Sequence, residues 1–216
     1  MATDVQPDAK AAPVDAGRRP YRFTADQLWK MVDAGVFPEG HFELVRGRIY
    51  RMTKHGPHSF AVGEIAERLR SILPPGFHVR EEKALEHDDR SLPEPDVAVV
   101  RGDRSDFRTA NPKSSRAALI VEVCASTRRA DYRDKPRLYA SASVPSYWVV
   151  DVDGRKIDVF TSPRGAGREA GYSEHQTFAE GSPAPVVLDG REVGRVDAKD
   201  LLPPIEEPPK PTSPTA

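Results

Sequence analysis

Hydrophobic and polar positions along this chain switch between a helical and a strand period, and the switches outline its elements. Thr24 is followed three residues later by Gln27, a capping-box pattern, and Leu28, Met31 and Val32 then recur at helical spacing until Gly35. Residues 42–45 and 48–52 flank Arg46-Gly47 and read as a β-hairpin. Between residues 57 and 73, Val62, Ile65, Leu69 and Ile72 repeat every three or four positions, which predicts an amphipathic helix closed by Pro74-Pro75-Gly76. Residues 77–85 and 96–100 are predicted strands separated by the polar loop 86–91. Residues 117–123 are apolar on both faces apart from Glu122, the pattern of a central strand. Pro136 tolerates only the first turn of a helix and pushes Lys135 away from helical angles. The next helix is therefore expected to start near Asp134 or to kink there, and to run through Leu138 and Tyr139. Residues 147–151 and 156–160 flank Asp153-Gly154, a strong hairpin signal. Further strands are expected at 172–178 and 186–188, and a short helix at 198–202. The pattern is α+β: a mixed sheet, two or three helices, and a strand-rich C-terminal half.

Two of these strands carry a residue that does not belong in a core. Asp96 opens the run Val97-Ala98-Val99-Val100, and Glu122 interrupts Leu119-Ile120-Val121 and Val123. A buried carboxylate is costly unless it is paired or coordinates a metal. Adjacent strands would bring the two acids together. Magnesium and manganese take oxygen ligands, commonly one or two carboxylates, a carbonyl and waters. Asp96, Glu122 and the main-chain carbonyl of Val123 fit that set, and Lys135 is near enough in sequence to add a cation. Glu43, alone in an apolar strand, is a candidate extra ligand or a base acting through water. The bland alternative stays open: Asp96 at a strand edge, Glu122 paired with Arg128, Arg129 or Lys135, and Glu43 turned to solvent.

Composition narrows the setting. The chain has 216 residues, enough for one domain, with expected tails at 1–20 and at 203–216, the latter rich in proline; the folded domain is expected to span 21–202. Lys plus Arg number 32 against 33 Asp plus Glu, so any nucleic-acid binding requires positive charge gathered locally. Cys124 is the only cysteine, which excludes an internal disulfide and a thiolate zinc cluster. The longest apolar runs fall far short of a membrane span, and the N-terminus carries no apolar signal region. The expectation is a cytoplasmic protein that does not associate with membranes.

A longer run of motifs resembles a known family. LPEPDVAVV (92–100), LIVEVCAST (119–127), Asp131, Lys135, LYASASVPSYWVVD (138–151) and the following IDVF are similar in order and spacing to the Uma family of putative restriction endonucleases, within the PD-(D/E)XK nuclease superfamily. Upstream, FELVRGRIYRM (42–52) and His58 extend the resemblance, which covers roughly residues 22–190. It implies a restriction-endonuclease-like core, Mg2+- or Mn2+-dependent hydrolysis of phosphodiester bonds in DNA, and assembly as a homodimer or larger homo-oligomer. Asp96 matches the motif aspartate, Glu122 the motif glutamate, and Glu43 the early acid. The usual lysine two residues after the glutamate is replaced by Cys124; Lys135 matches a lysine displaced onto the next helix. Ser143 and Ser146 also depart from the pattern, standing for a glycine and a glutamate.

Other signals are weaker. His55 and His58 form a lone H-x-x-H, expected to be loop and helix-cap residues, although His58 near a helix N-terminus can approach a phosphate. Arg128, Arg129, Arg133 and Arg137 surround Lys135 and either guide a phosphate backbone or form a solvated face offset by Asp131 and Asp134. Ser126 with Asp131 lacks the G-x-S-x-G elbow of a serine hydrolase. Tyr147 and Trp148 are expected in the core or at a dimer contact. The rivals to a nuclease are a degenerate nuclease fold kept for nucleic-acid binding or assembly, and a metal-dependent phosphodiesterase for a smaller substrate.

Overall fold

The computed structural model describes residues 19–52, 55–124 and 130–204. Most of the two expected tails lies outside the described residues, as do Ser126, Arg128 and Arg129. Helix α1 (Ala25–Asp33) begins with the full capping box, Thr24 accepting from the Gln27 N–H and Gln27 from the Thr24 N–H. Strands β1 (His41–Val45) and β2 (Arg48–Met52) form an antiparallel hairpin. Its two turn residues, Arg46 and Gly47, both have positive φ, as a two-residue hairpin twisted with its strands requires. Gly47 is needed for a second reason, because a Cβ there would meet Arg22 Cβ at 2.8 Å.

The centre of the molecule is a six-stranded mixed sheet. Its order is β3 (Phe77–Glu81), β4 (Val97–Arg101), β5 (Ala117–Cys124), β6 (Ser146–Asp151), β7 (Lys156–Arg164) and β8 (Gly171–Ala179). All neighbours are antiparallel except β5 and β6. A parallel pair needs a crossover, and the chain between these two strands supplies α3 (Lys135–Ser141), which covers one face. The long helix α2 (Gly56–Ile72) covers the other, through Ala61, Val62, Ile65, Ala66 and Leu69. A small hairpin, β9 (Ala184–Leu188) with β10 (Arg191–Val196), packs on the α2 side. β5 is buried along its whole length, as its two-sided apolar pattern requires.

Three expectations need correction. The strand expected to reach Leu85 ends at Glu81, because Glu82 takes a positive φ of 47° and turns the chain out of the sheet. Lys135 is not pushed out of helical geometry. A π turn, Ala130–Asp134, runs into α3, and Pro136 falls in the first turn of that helix, where no N–H donor is required. Residues 198–202 hold only a 3-10 turn, Ala198–Asp200. Tyr147 and Trp148 are fully buried, so both belong to the core rather than to a dimer surface.

Candidate active site

The register places the two anomalous acids. Val97 pairs with Val121 and Ala98 with Ile120, so Asp96, just before β4, stands opposite Glu122 on β5. Both are on the sheet face that α3 covers, and both are buried. The Asp96 Oδ2 accepts a hydrogen bond of 2.7 Å from the Val123 N–H and lies 3.2 Å from His58 Nε2. Burial alone would raise the Asp96 pKa. The His58 hydrogen bond, the Lys135 charge and the Val123 N–H together outweigh it and hold the carboxyl below its ordinary value.

Lys135 arrives from the first turn of α3. Its Nζ donates to Glu122 Oε2 at 2.8 Å and lies 3.5 Å from Asp131 Oδ1 and 3.9 Å from Glu43 Oε1. The π turn sets Asp131 four residues ahead of Lys135, and the Tyr147 hydroxyl fixes that turn by donating to the Asp131 carbonyl at 2.7 Å. Tyr139, one helical turn after Lys135, donates to the other oxygen of Glu122 at 2.9 Å. Desolvation opposes the ammonium, but Glu122, Glu43, Asp131 and Asp96 surround it and push the Lys135 pKa well up. Glu122 has the opposite fate. Burial raises its pKa strongly, the neighbouring acids add to that, and Lys135 compensates only in part. Glu43, from β1, is likewise raised by burial against the pull of Lys135.

The surroundings are therefore short of positive charge. Glu43, Asp96, Glu122 and Asp131 are all buried around one lysine and one histidine. Asp96 Oδ1 and Glu43 Oε2 are buried without a hydrogen bond. Buried carboxylate oxygens lacking a donor suit a cation, and a predominantly oxygen donor set suits a hard divalent ion. The alternatives for Asp96 and Glu43 do not hold, since neither is at a solvated edge or turned to water, whereas the ion pair allowed to Glu122 is present. Lys135 takes the partner role for Glu122 that the sequence also allowed to Arg128 or Arg129.

Two residues join the site that spacing did not assign. His58 is buried on the first turn of α2, inside the helix rather than at its cap, and Glu82 follows β3. Ligand atoms of His58, Glu82 and Asp96 all lie within 4.8 Å of one another. Glu82 reaches this position through its positive φ, a conformation that costs a non-glycine residue about 1 kcal/mol or more and tends to occur at functional sites. Its N–H also donates to the Asp96 carbonyl at 3.0 Å. The only sequence signal for Glu82 was a doublet of acids at a strand end. His55 is exposed and makes no side-chain cap, so the H-x-x-H pair is not a joint site. Cys124, at the position where the resemblance expected a lysine, is buried in the cluster that contains Tyr139 and Tyr147.

The sequence model of one family, Uma2, described as putative restriction endonuclease, matches residues 28–192. The chain belongs to the Uma2 family. The match runs from within α1 to the start of β10 and so includes every residue of the site. No curated protein matches the chain. Among solved structures it is similar to that of a putative nuclease belonging to DUF820 from Anabaena variabilis ATCC 29413. The two share 18% identity with a TM-score of 0.63, over 83% of this chain and 97% of that one. At that identity the likeness establishes the fold, which is nuclease-like. Among the described residues of this Uma2 protein, no helix is long and apolar enough to cross a membrane.

Proposed function

We propose that this protein is a divalent-metal-dependent endonuclease that hydrolyses phosphodiester bonds in DNA. The observation that carries the reading is the buried acidic cluster in which Asp96 Oδ1 and Glu43 Oε2 lack donors while Lys135 is fixed on Glu122. Asp96, Glu122 and the Val123 carbonyl would hold a magnesium or manganese ion, with His58 and Glu82 beside Asp96. In a strand the N–H and C=O of one residue leave on the same side, so the Val123 carbonyl faces Asp96 as its N–H does. Such an ion, when bound, polarises the scissile phosphate and acidifies a water.

The chain's own groups supply the rest. Tyr139 and Lys135 hold the two oxygens of Glu122 in one orientation. The ammonium of Lys135 orients the attacking water and offsets negative charge developing on the phosphate. Glu43, its pKa raised by burial, takes the proton of that water through a second water. A cleft of about 600 Å3 lined by Glu43, Lys135, Arg46, Arg48 and Tyr50 leads to these groups from outside. Water adds to phosphorus, the ester oxygen leaves with a proton, and a phosphomonoester and a hydroxyl result.

The test is incubation of plasmid and single-stranded DNA with Mg2+ or Mn2+, with chelator, and with the Asp96→Ala and Glu122→Ala proteins. Metal-dependent cleavage lost in both variants is the expected outcome. Equal cleavage by wild type and variants would assign the activity to a contaminant. Metal binding by calorimetry without cleavage of either DNA would move the reading to a binding module or a smaller phosphodiester substrate.

A further inference from the structure

The chain is nearly neutral overall, yet one groove gathers positive charge. It runs along the outer edge of the sheet at β3, encloses about 750 Å3, and is lined by Arg70, Arg80, Lys83, Arg104 and Arg108. Glu81 is the one acid in its lining, and it is paired with Arg70. Among the described residues Arg80, Lys83, Arg104 and Arg108 make no ion pair. Lys83, Arg104 and Arg108 are exposed, free to meet a ligand. Arg80 differs. It is only 9% exposed, its Nη2 is held at 2.9 Å by Asn111 Oδ1, and its buried Nε has no hydrogen-bond partner. An immobilised guanidinium without a carboxylate, beside three free cations, is an anion-binding arrangement. Phe107 and His78, stacked with ring centres 5.4 Å apart, form an apolar wall of the same groove.

Position connects the groove to the acidic cluster. Arg80 pairs with Ala98 across β3 and β4, and residues directly opposite in an antiparallel pair share a face. Arg80 therefore lies on the face that carries Asp96 and Glu122, one strand further out. Lys83 immediately follows Glu82, whose carboxylate is at Asp96. A polyanion lying along the β3 edge would thus pass from the cations directly to the candidate metal centre.

We propose that this groove binds the phosphodiester backbone of DNA and leads it to the site. The proposal rests on the nuclease reading above and adds where the strand runs. An acidic peptide fits the charge but not the continuity with a phosphodiester-cleaving centre. The test is fluorescence anisotropy of a labelled duplex of about 20 base pairs with the full chain in chelator, across a salt series, for wild type, R104A/R108A and R133A/R137A. Arg133 and Arg137, the other candidate guides for a phosphate backbone, are exposed on the π turn and α3 and do not line the groove, so this pair tests the rival path at equal loss of net charge. The expected result is roughly a tenfold or greater loss of affinity for R104A/R108A. Its log K against log salt slope should be shallower by about 2, one unit per lost phosphate contact. R133A/R137A should stay close to wild type, and circular dichroism should show both pairs folded. Equal binding by wild type and R104A/R108A, equal loss in both pairs, or displacement of DNA by polyglutamate of matched charge would each overturn the groove assignment. Where wild type still cleaves DNA in those cases, only the groove falls; where wild type neither binds nor cleaves, the nuclease reading falls with it.

Discussion

Lys135→Met tests the buried pair of Lys135 with Glu122 through the pH dependence of stability. Lys135 is 6% exposed and its ammonium is 2.8 Å from a glutamate that is 0% exposed. Methionine fills much of the same volume without the charge. Removing one member of a buried pair typically costs about 3–5 kcal/mol, because the partner is left charged and desolvated. In a domain of this size that lowers Tm by roughly 6–20 °C. The cost depends on pH. Glu122 already has a pKa above its ordinary value through burial, and without Lys135 it rises further. A carboxylate with a raised folded pKa binds more protons folded than unfolded, so stability grows as pH falls through the folded pKa toward the ordinary one. The variant should therefore be weakest near pH 8 and recover much of its deficit by about pH 5. Urea denaturation followed by circular dichroism at both pH values measures this. The double variant E122Q/K135M should regain a large part of the loss at pH 8, giving a coupling of several kcal/mol, while remaining inactive. Additive losses, or a deficit that does not change between pH 5 and 8, would refute the buried pair as described.

The remaining predictions use other parts of the molecule. Asp96→Asn keeps the shape but lowers the charge at the oxygen that lacks a donor; it should abolish metal-dependent stabilisation in a thermal-shift titration with Mn2+, and an undiminished shift would move the ion elsewhere. Glu82→Gln and His58→Gln should each weaken Mn2+ binding in calorimetry by roughly tenfold or more, as loss of a ligand or its support does, with no change if neither faces the ion. Asp158, buried at the β7–β8 pairing, accepts from Tyr132, His175 and Thr177 and pairs with Lys156; these bonds outweigh its burial and hold its pKa at about 2. A depressed folded pKa contributes stability above the ordinary value of 3.8 that is lost as pH falls toward 2, so Asp158→Asn should cost about 2 kcal/mol at neutral pH and much less at pH 2.

Much of this fold was legible because local signals agreed with tertiary demands. The Thr24–Gln27 box and the Arg46-Gly47 turn each prescribe one backbone geometry and adopted it, while the hairpin at Asp153-Gly154 formed with its positive φ at Arg155 instead. Asp96 and Glu122 were visible because a carboxylate in an apolar strand has to be paired or bound to a cation. β10 was not, since Arg191, Glu192, Gly194 and Arg195 carry no apolar alternation and a register shift interrupts the pairing between Glu192 and Gly194. Glu82 was hidden because its role follows from a positive φ that no residue type announces outside glycine and asparagine. The basic groove was hidden for another reason. Its cations come from α2, β3 and the loops after β3 and β4, and only the fold sums them.

The proposed catalytic role of Lys135, in place of a lysine on the strand, fits the same geometry. Cys124 occupies the position two residues after Glu122, so it shares the sheet face of Glu122, and a lysine there would point to the same side. That space is instead filled by a buried cluster in which Cys124 sits with Tyr139 and Tyr147. The tyrosine hydroxyls are not spare. Tyr139 holds Glu122, and Tyr147 holds the Asp131 carbonyl within the π turn that delivers Lys135. Under the proposed function the amine that meets Glu122 Oε2 comes from the helix, at Lys135, rather than from the strand. Cys124→Lys with Lys135→Met tests whether the two positions are interchangeable. The strand position is packed and lacks the Asp131 carboxylate four residues before it, so the exchanged protein should fold less stably than wild type and regain little activity; full activity would show that only the presence of an amine near Glu122 matters.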